Sequence, residues 1–132
     1  MGGHQDLKQY ESKTSFILQD DDEMQVYNIT LESVLSHHQD SVSSVQWGTT
    51  VEHPTSLSDF CLLSSSFDFT VCVWKPDEET GVWSADSTLG AMQGNKHAYF
   101  GAQFLSDDNE ILSYTFNGAM HQWKRVDGRW LP

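Results

Sequence analysis

The most constraining feature of this sequence is a pattern of four short apolar runs that occurs twice. The third run of each copy ends in a tryptophan, Trp74 in the first copy and Trp123 in the second. Short apolar runs that are separated by polar turns are typical of β-strands, whereas helices need apolar residues at a period of about 3.6. Helical periodicity of that kind is weak throughout the chain, so the pattern predicts an all-β protein.

The turns between the runs are marked by residues that favour tight reversals. Asn117-Gly118 and Asp127-Gly128 adopt positive φ at low cost, as two-residue hairpins require. The sequence therefore predicts two antiparallel meanders of four strands. The predicted strands are residues 42–47, 60–65, 70–74 and 82–85 in the first set, and 99–104, 110–114, 119–123 and 129–131 in the second.

Four strands for every 40–50 residues or so is the pattern of β-propeller blades. We therefore expect about two four-stranded antiparallel propeller blades. Because closed propellers need about four to eight blades, the chain is expected to be an incomplete propeller. The predicted divisions are a loosely ordered N-terminal segment (1–23), the outer strand of a preceding blade (24–34), a first blade (35–89) and a degenerate second blade (90–132).

The first copy contains a more specific motif. His38 precedes the first strand, Asp68 lies in the turn before the third strand, and Trp74 ends that strand. This arrangement resembles the WD repeat and predicts WD40 blades. The resemblance implies a hydrogen-bond chain from the aspartate through the histidine and a strand-two serine, Ser66 or Ser64, to the indole. Such a chain would leave none of these buried polar groups unpaired.

The same residue types permit a catalytic interpretation, in which Ser66, His38 and Asp68 form the triad of a small hydrolase. We consider this remote, because the repeat places these groups inside a blade edge. No cofactor or metal is expected, since the histidines match no ligand spacing; they are His37, His38, His53, His97 and His121. Cys61 and Cys72 lie in apolar runs and are interpreted as structural.

The second copy departs from the motif. Gly94-Asn95 stands where the histidine would be, and Asn117 replaces the turn aspartate. The hydrogen-bond chain is therefore predicted to be missing there. The second blade is expected to depend on apolar packing by Phe100, Phe104, Ile111, Tyr114 and Trp123.

Two further motifs point to a particular group of WD proteins. They are WKPDEETGVW at residues 74–83 and GAMHQWK at residues 118–124. Together they resemble the Elongator complex protein 2 family, whose members are double-propeller scaffold subunits. The resemblance implies a non-catalytic interaction scaffold that supports modification of transfer-RNA wobble uridines. It also implies other Elongator subunits and the remaining propeller blades as partners, with cytoplasmic and nuclear localisation. The alternative is a generic WD-repeat adaptor in another intracellular complex.

Charge agrees with a protein partner. The chain carries 19 acidic and 7 basic residues, for a formal net charge of −12. This balance repels phosphate backbones, so direct nucleic-acid binding is not expected. No apolar run reaches the 18–20 or so residues that a membrane span needs, so we expect no membrane partner.

Overall fold

The computed structural model describes residues 14–20, 23–90, 94–105 and 109–132. The fold is all-β, with one short 3-10 helix at Leu57–Asp59. The strands in order are β1 (Ser15–Asp20), β2 (Glu23–Asn28), β3 (Val42–Thr49), β4 (Phe60–Ser66), β5 (Val71–Pro76), β6 (Trp83–Leu89), β7 (Tyr99–Phe104), β8 (Glu110–Thr115), β9 (Met120–Val126) and β10 (Arg129–Leu131). Chain contacts divide the protein into two units, Met1–Val34 and Leu35–Pro132.

The N-terminal unit contains a two-stranded antiparallel sheet. Strand β1 pairs with β2 from Ser15↔Asn28 to Asp20↔Glu23. Residues 1–23 were expected to be loosely ordered; within that range Ser15–Asp20 carries an apolar run and forms a strand. Residues 1–13, Asp21 and Asp22 lie outside the described residues.

The first blade is the sheet β3-β4-β5-β6, in that order. Its first two strands pair from Val42↔Ser66 to Thr49↔Phe60, with a bulge between Val42 and Ser44. Strand β5 is buried at five of its six positions, which suits a strand with sheet neighbours and packing on both faces. The predicted four-strand meander is present, with strand ends that differ by a few residues.

The second blade, β7-β8-β9-β10, repeats this plan. The bulge recurs between Tyr99 and Gly101. Asp127 and Gly128 both have positive φ, 49° and 77°, as expected for a two-residue hairpin. At the predicted Asn117-Gly118 turn only Gly118 has positive φ, 85°, so that turn is a longer type.

The two blades pack together within the Leu35–Pro132 unit. Their shared core contains Cys61, Leu63, Val71, Val73, Leu89, Tyr99, Ala102, Phe104, Ile111, Trp123 and Trp130. Gly48 lies against the Phe104 ring so closely that an added Cβ would come within 2.5 Å of it. The backbone N–H of Phe104 donates to Gln46 Oε1 at 2.7 Å. Strand β7 is thus held to the first blade by the packing of Phe104 against Gly48 and by the hydrogen bond that the Gln46 side chain accepts.

Candidate functional site

The turn between β4 and β5 is built around the carboxylate of Asp68. The backbone N–H of Thr70 donates to Asp68 Oδ1 at 3.0 Å, and the Thr70 hydroxyl donates to the same oxygen. The backbone N–H of Gln39 donates to Asp68 Oδ2 at 2.8 Å. This carboxylate therefore joins its own turn to the segment that enters the blade.

His38 extends these contacts into the blade. Its Nδ1 lies 2.9 Å from Asp68 Oδ2, and its Nε2 lies 2.7 Å from Ser64 Oγ. The indole N–H of Trp74 donates to the same Ser64 oxygen at 2.8 Å. Since the carboxylate can only accept and the indole can only donate, we assign the imidazole proton to Nδ1 and the serine proton to the bond with Nε2.

The serine in this network is Ser64. Ser66, the other candidate in the sequence, does not contact the indole or the imidazole. Its hydroxyl donates to the backbone oxygen of Asp40 at 3.2 Å and accepts from the Asp68 N–H at 3.1 Å. Ser64 and Ser66 lie two residues apart and therefore on the same face of β4. Only Ser64 lies beside the indole, whereas Ser66 sits at the strand end, where it supports the turn.

The Asp68 carboxyl is strongly acidic in the fold. Burial alone would raise its pKa, but hydrogen bonds from Thr70, Gln39 and His38 outweigh that effect and lower the pKa to about 2. The carboxylate is therefore charged at every physiological pH. It gives His38 a fixed, charged acceptor.

The order Asp68–His38–Ser64 has the connectivity of a catalytic triad, yet the serine is poorly placed to attack a substrate. Ser64 is only 3% exposed, and its oxygen already accepts the Trp74 N–H. A nucleophile must present its oxygen to a substrate next to it. This geometry suits a structural clamp.

In the second blade a tyrosine ring lies against the tryptophan where the first blade has the imidazole of His38. Tyr99 is fully buried, and its ring meets that of Trp123 edge-on at 6.2 Å, as the His38 ring meets that of Trp74 at 6.3 Å. The Tyr99 hydroxyl lies 2.8 Å from His121 Nδ1. Burial raises the pKa of Tyr99 to about 12. A tyrosine–histidine pair thus occupies the interior where the first blade has its histidine.

Three buried polar atoms of the second blade, Ser113 Oγ, Trp123 Nε1 and Trp130 Nε1, have no hydrogen-bond partner among the described residues. Of these residues, Ser113 and Trp123 occupy the positions of Ser64 and Trp74. The Ser113 hydroxyl is near enough to Tyr99 to lower that pKa slightly, but the two do not reach good hydrogen-bond geometry. The chain from serine to indole therefore exists only in the first of the two described blades.

Comparisons with known proteins place these two blades in a family. The chain is 34% identical to human Elongator complex protein 2 over 95% of its own length. It is 40% identical to Elongator complex protein 2 of Dictyostelium discoideum over 75% of its length, and 30% identical to that of Schizosaccharomyces pombe over 78%. This chain is related to a segment of Elongator complex protein 2. No protein-family model matches it.

The match covers a small part of each relative. The chain spans 17% of the length of human Elongator complex protein 2 and 11% of the Dictyostelium protein. The shared segment is thus about two blades of a much longer protein.

Sequence reasoning missed the roles of Tyr99 and His121. The signal for them was present in the repeat itself. Both blades have their bulge at the same point, and Tyr99 takes the position of Val42, while His121 takes that of Cys72. The second blade thus has a phenol and an imidazole where the first has Val42 and Cys72, and these two side chains can hydrogen-bond to each other.

The remaining histidines and cysteines of the segment take other roles. His37 Nε2 lies 3.1 Å from the Thr88 hydroxyl, and Cys61 and Cys72 are buried and form no disulfide. Among the described residues, no three His, Cys, Asp or Glu side chains are grouped so that they could hold a metal ion. No helix within the described ranges is long and apolar enough to cross a membrane.

Proposed function

We propose that this chain is a non-catalytic, protein-binding part of an Elongator subunit and supports the modification of transfer-RNA wobble uridines. The observation that carries the proposal is its similarity to Elongator complex protein 2 over most of its length, in organisms as distant as human and Dictyostelium. In this role its partners are other Elongator subunits and the other blades of the longer protein. It works in the cytoplasm and the nucleus.

The geometry of the first blade supports a structural role. The Asp68 carboxylate ties the entry segment to the turn through Gln39 and His38. A loop that is held in this way presents a rigid surface, and rigid surfaces lose less entropy when they bind. The network therefore contributes to binding by keeping loops in place.

Co-purification tests the Elongator assignment. The full-length protein that contains this segment is expected to co-purify with the other Elongator subunits and to restore wobble-uridine modification in cells that lack Elongator complex protein 2. Asp68→Ala should reduce both in parallel with the amount of folded protein, whereas the exposed-site control Val82→Ser should reduce neither. Failure of the unaltered protein to join the complex would instead favour the generic WD adaptor.

A separate experiment tests the absence of catalysis. A fluorophosphonate probe, which labels activated serines, is expected to leave the protein unlabelled because Ser64 is buried. Labelling that disappears in Ser66→Ala, or in Ser64→Ala, would instead support the hydrolase alternative.

A further inference from the structure

Four aromatic rings form a continuous row near the turns of the two blades; three of them are exposed, and the fourth, Tyr114, is half-buried. Phe67 meets Phe116 edge-on with ring centres 5.2 Å apart, and Phe116 meets Phe100 in the same way at 5.3 Å. Tyr114 continues the row at 5.7 Å from Phe100. The row crosses from the first blade to the second, and we call these four residues the aromatic turn surface.

These rings are exposed to an unusual degree for phenylalanine. Phe67 is 37% exposed, Phe100 56% and Phe116 58%. Contiguous exposed apolar side chains usually mark a binding site. Phe67 and Phe116 each precede the turn residue of their blade, so they lie at the ends of strands and not in the middle of a sheet face that another blade would cover.

The backbone beneath the rings is held in place. The N–H of Phe67 donates to Ser41 O at 3.0 Å, and the N–H of Phe116 donates to Ala98 O at 3.1 Å. The row is therefore organised before any partner arrives, which lowers the entropy cost of binding.

The first-blade turn also contains a strained residue. Phe69 has φ of 71°, whereas Gly118 takes the equivalent position in the second blade at 85°. An aromatic residue in the left-handed region costs about 1 kcal/mol or more, and Phe69 is 43% exposed, so burial does not explain its presence. Strain of this kind clusters at functional sites.

We propose that the aromatic turn surface binds a linear segment of a partner protein that alternates basic and aliphatic residues. Aliphatic side chains would pack between the rings, and arginine would stack on ring faces. Asp40 is exposed and lies next to Phe67, because the Ser66 hydroxyl bonds to its backbone oxygen. The net charge of −12 attracts a basic segment and repels an acidic one. This inference rests on the proposed scaffold function and names a surface for it.

A peptide titration tests the surface. The chain is labelled with 4-fluorophenylalanine, and fluorine NMR follows its seven phenylalanines as acetyl-Gly-Arg-Leu-Arg-Leu-Gly-amide is added. We expect the signals of Phe67, Phe100 and Phe116 to shift. Phe104, which is 6% exposed, should stay in place. Phe116→Ser should weaken binding about tenfold, as expected of a central aromatic contact, and Val82→Ser, an exposed apolar site on another turn, should change it less than twofold.

Two results would overturn the proposal. One is an equal response to the peptide in which glutamate replaces both arginines; the other is unchanged affinity in Phe116→Ser when its fold is intact by circular dichroism. The titration uses no Elongator subunit. Its failure therefore leaves the co-purification experiment unaffected, and failure to co-purify leaves the peptide result unaffected.

Discussion

The two blades share a backbone plan but satisfy it with different chemistry. The first holds its tryptophan through a serine, a histidine and a charged aspartate, whereas the second places a buried tyrosine against its tryptophan and pairs that tyrosine with His121. An aromatic ring packed against the indole is therefore the feature that both blades share, whereas, of the two described blades, only the first has the complete hydrogen-bond chain. Among the described residues the second blade leaves three buried polar atoms unpaired, those of Ser113, Trp123 and Trp130, and it buries a larger ring.

Both blades keep one local hydrogen bond of the network, from a backbone N–H to the turn side chain two residues before it. Thr70 N–H donates to Asp68 Oδ1 at 3.0 Å, and Ala119 N–H donates to Asn117 Oδ1 at 3.2 Å. Either side chain can make this contact two residues ahead. The contacts of the turn with the distant entry segment, from His38 and the Gln39 N–H to Asp68, require a charged acceptor. Of the two described blades, only the first makes these contacts.

The largest effect is expected from removal of that acceptor. Asp68→Ala should lower the free energy of unfolding by about 3 kcal/mol, because His38 and the Gln39 N–H lose a charged partner. Asn117→Ala should cost only about 1 kcal/mol, since it loses local bonds alone. Urea denaturation measures both. Equal losses would show that the long-range contacts contribute nothing.

High pH should weaken the second blade selectively. The pKa of Tyr99 is raised to about 12, from about 10 in the unfolded chain. Its stabilising contribution is complete below pH 10 and is lost as the pH rises from 10 towards 12, by up to about 2 kcal/mol. Tyr99→Phe should lack this loss, so the difference in stability between the two proteins should change only above pH 10. A constant difference up to pH 11.5 would contradict the burial of this hydroxyl.

Low pH should weaken the first blade. Because the pKa of Asp68 is lowered to about 2, its contribution is complete above pH 4 and declines as the pH falls from 4 to 2. Asp68→Asn cannot titrate, so the stability difference between the natural chain and this variant should shrink over that interval. Thermal unfolding at intervals of half a pH unit would measure it; a difference that is the same at pH 5 and pH 2.5 would be inconsistent with a charged Asp68.

The smallest effect concerns the third residue of each turn. Phe69→Gly should stabilise the first blade by up to about 1 kcal/mol through relief of its positive φ. Gly118→Ala should destabilise the second by about 1 kcal/mol. The melting temperature of each variant shows directly whether the substitution stabilises or destabilises the protein. Loss of stability in Phe69→Gly would mean that contacts of the ring outweigh the backbone strain.

Much of the strand plan follows from the sequence. The runs around Trp74 and Trp123 are bounded by turn residues whose φ preferences are local, so their strands could be located to within a few residues. Of the hairpin at Ser15–Asn28, only the second strand was predicted. The first was missed because Phe16-Ile17-Leu18 is a short apolar run among polar residues. Such a run forms a strand only when a partner strand is available, and pairing is not visible in composition.

The site was harder to predict because it depends on three-dimensional register. Ser64 and Ser66 lie on the same face of β4, so strand alternation does not distinguish them, and the choice depends on which of them the imidazole and the indole reach. The bulge between Val42 and Ser44 shifts the register of β3 against β4. Phe100, which was expected to pack in the second blade, is 56% exposed. The bulge between Tyr99 and Gly101 shifts the register there too, and Tyr99 is the residue that turns inward.

A pair of matched double-mutant cycles tests the contrast between the blades most directly. Ser64→Ala is combined with Trp74→Phe in one cycle, and Ser113→Ala with Trp123→Phe in the other, so the same atoms are removed from equivalent positions. The interaction energy, measured by urea denaturation, should be about 1 kcal/mol in the first blade and indistinguishable from zero in the second. Equal interaction energies in the two blades, or none in the first, would contradict the account.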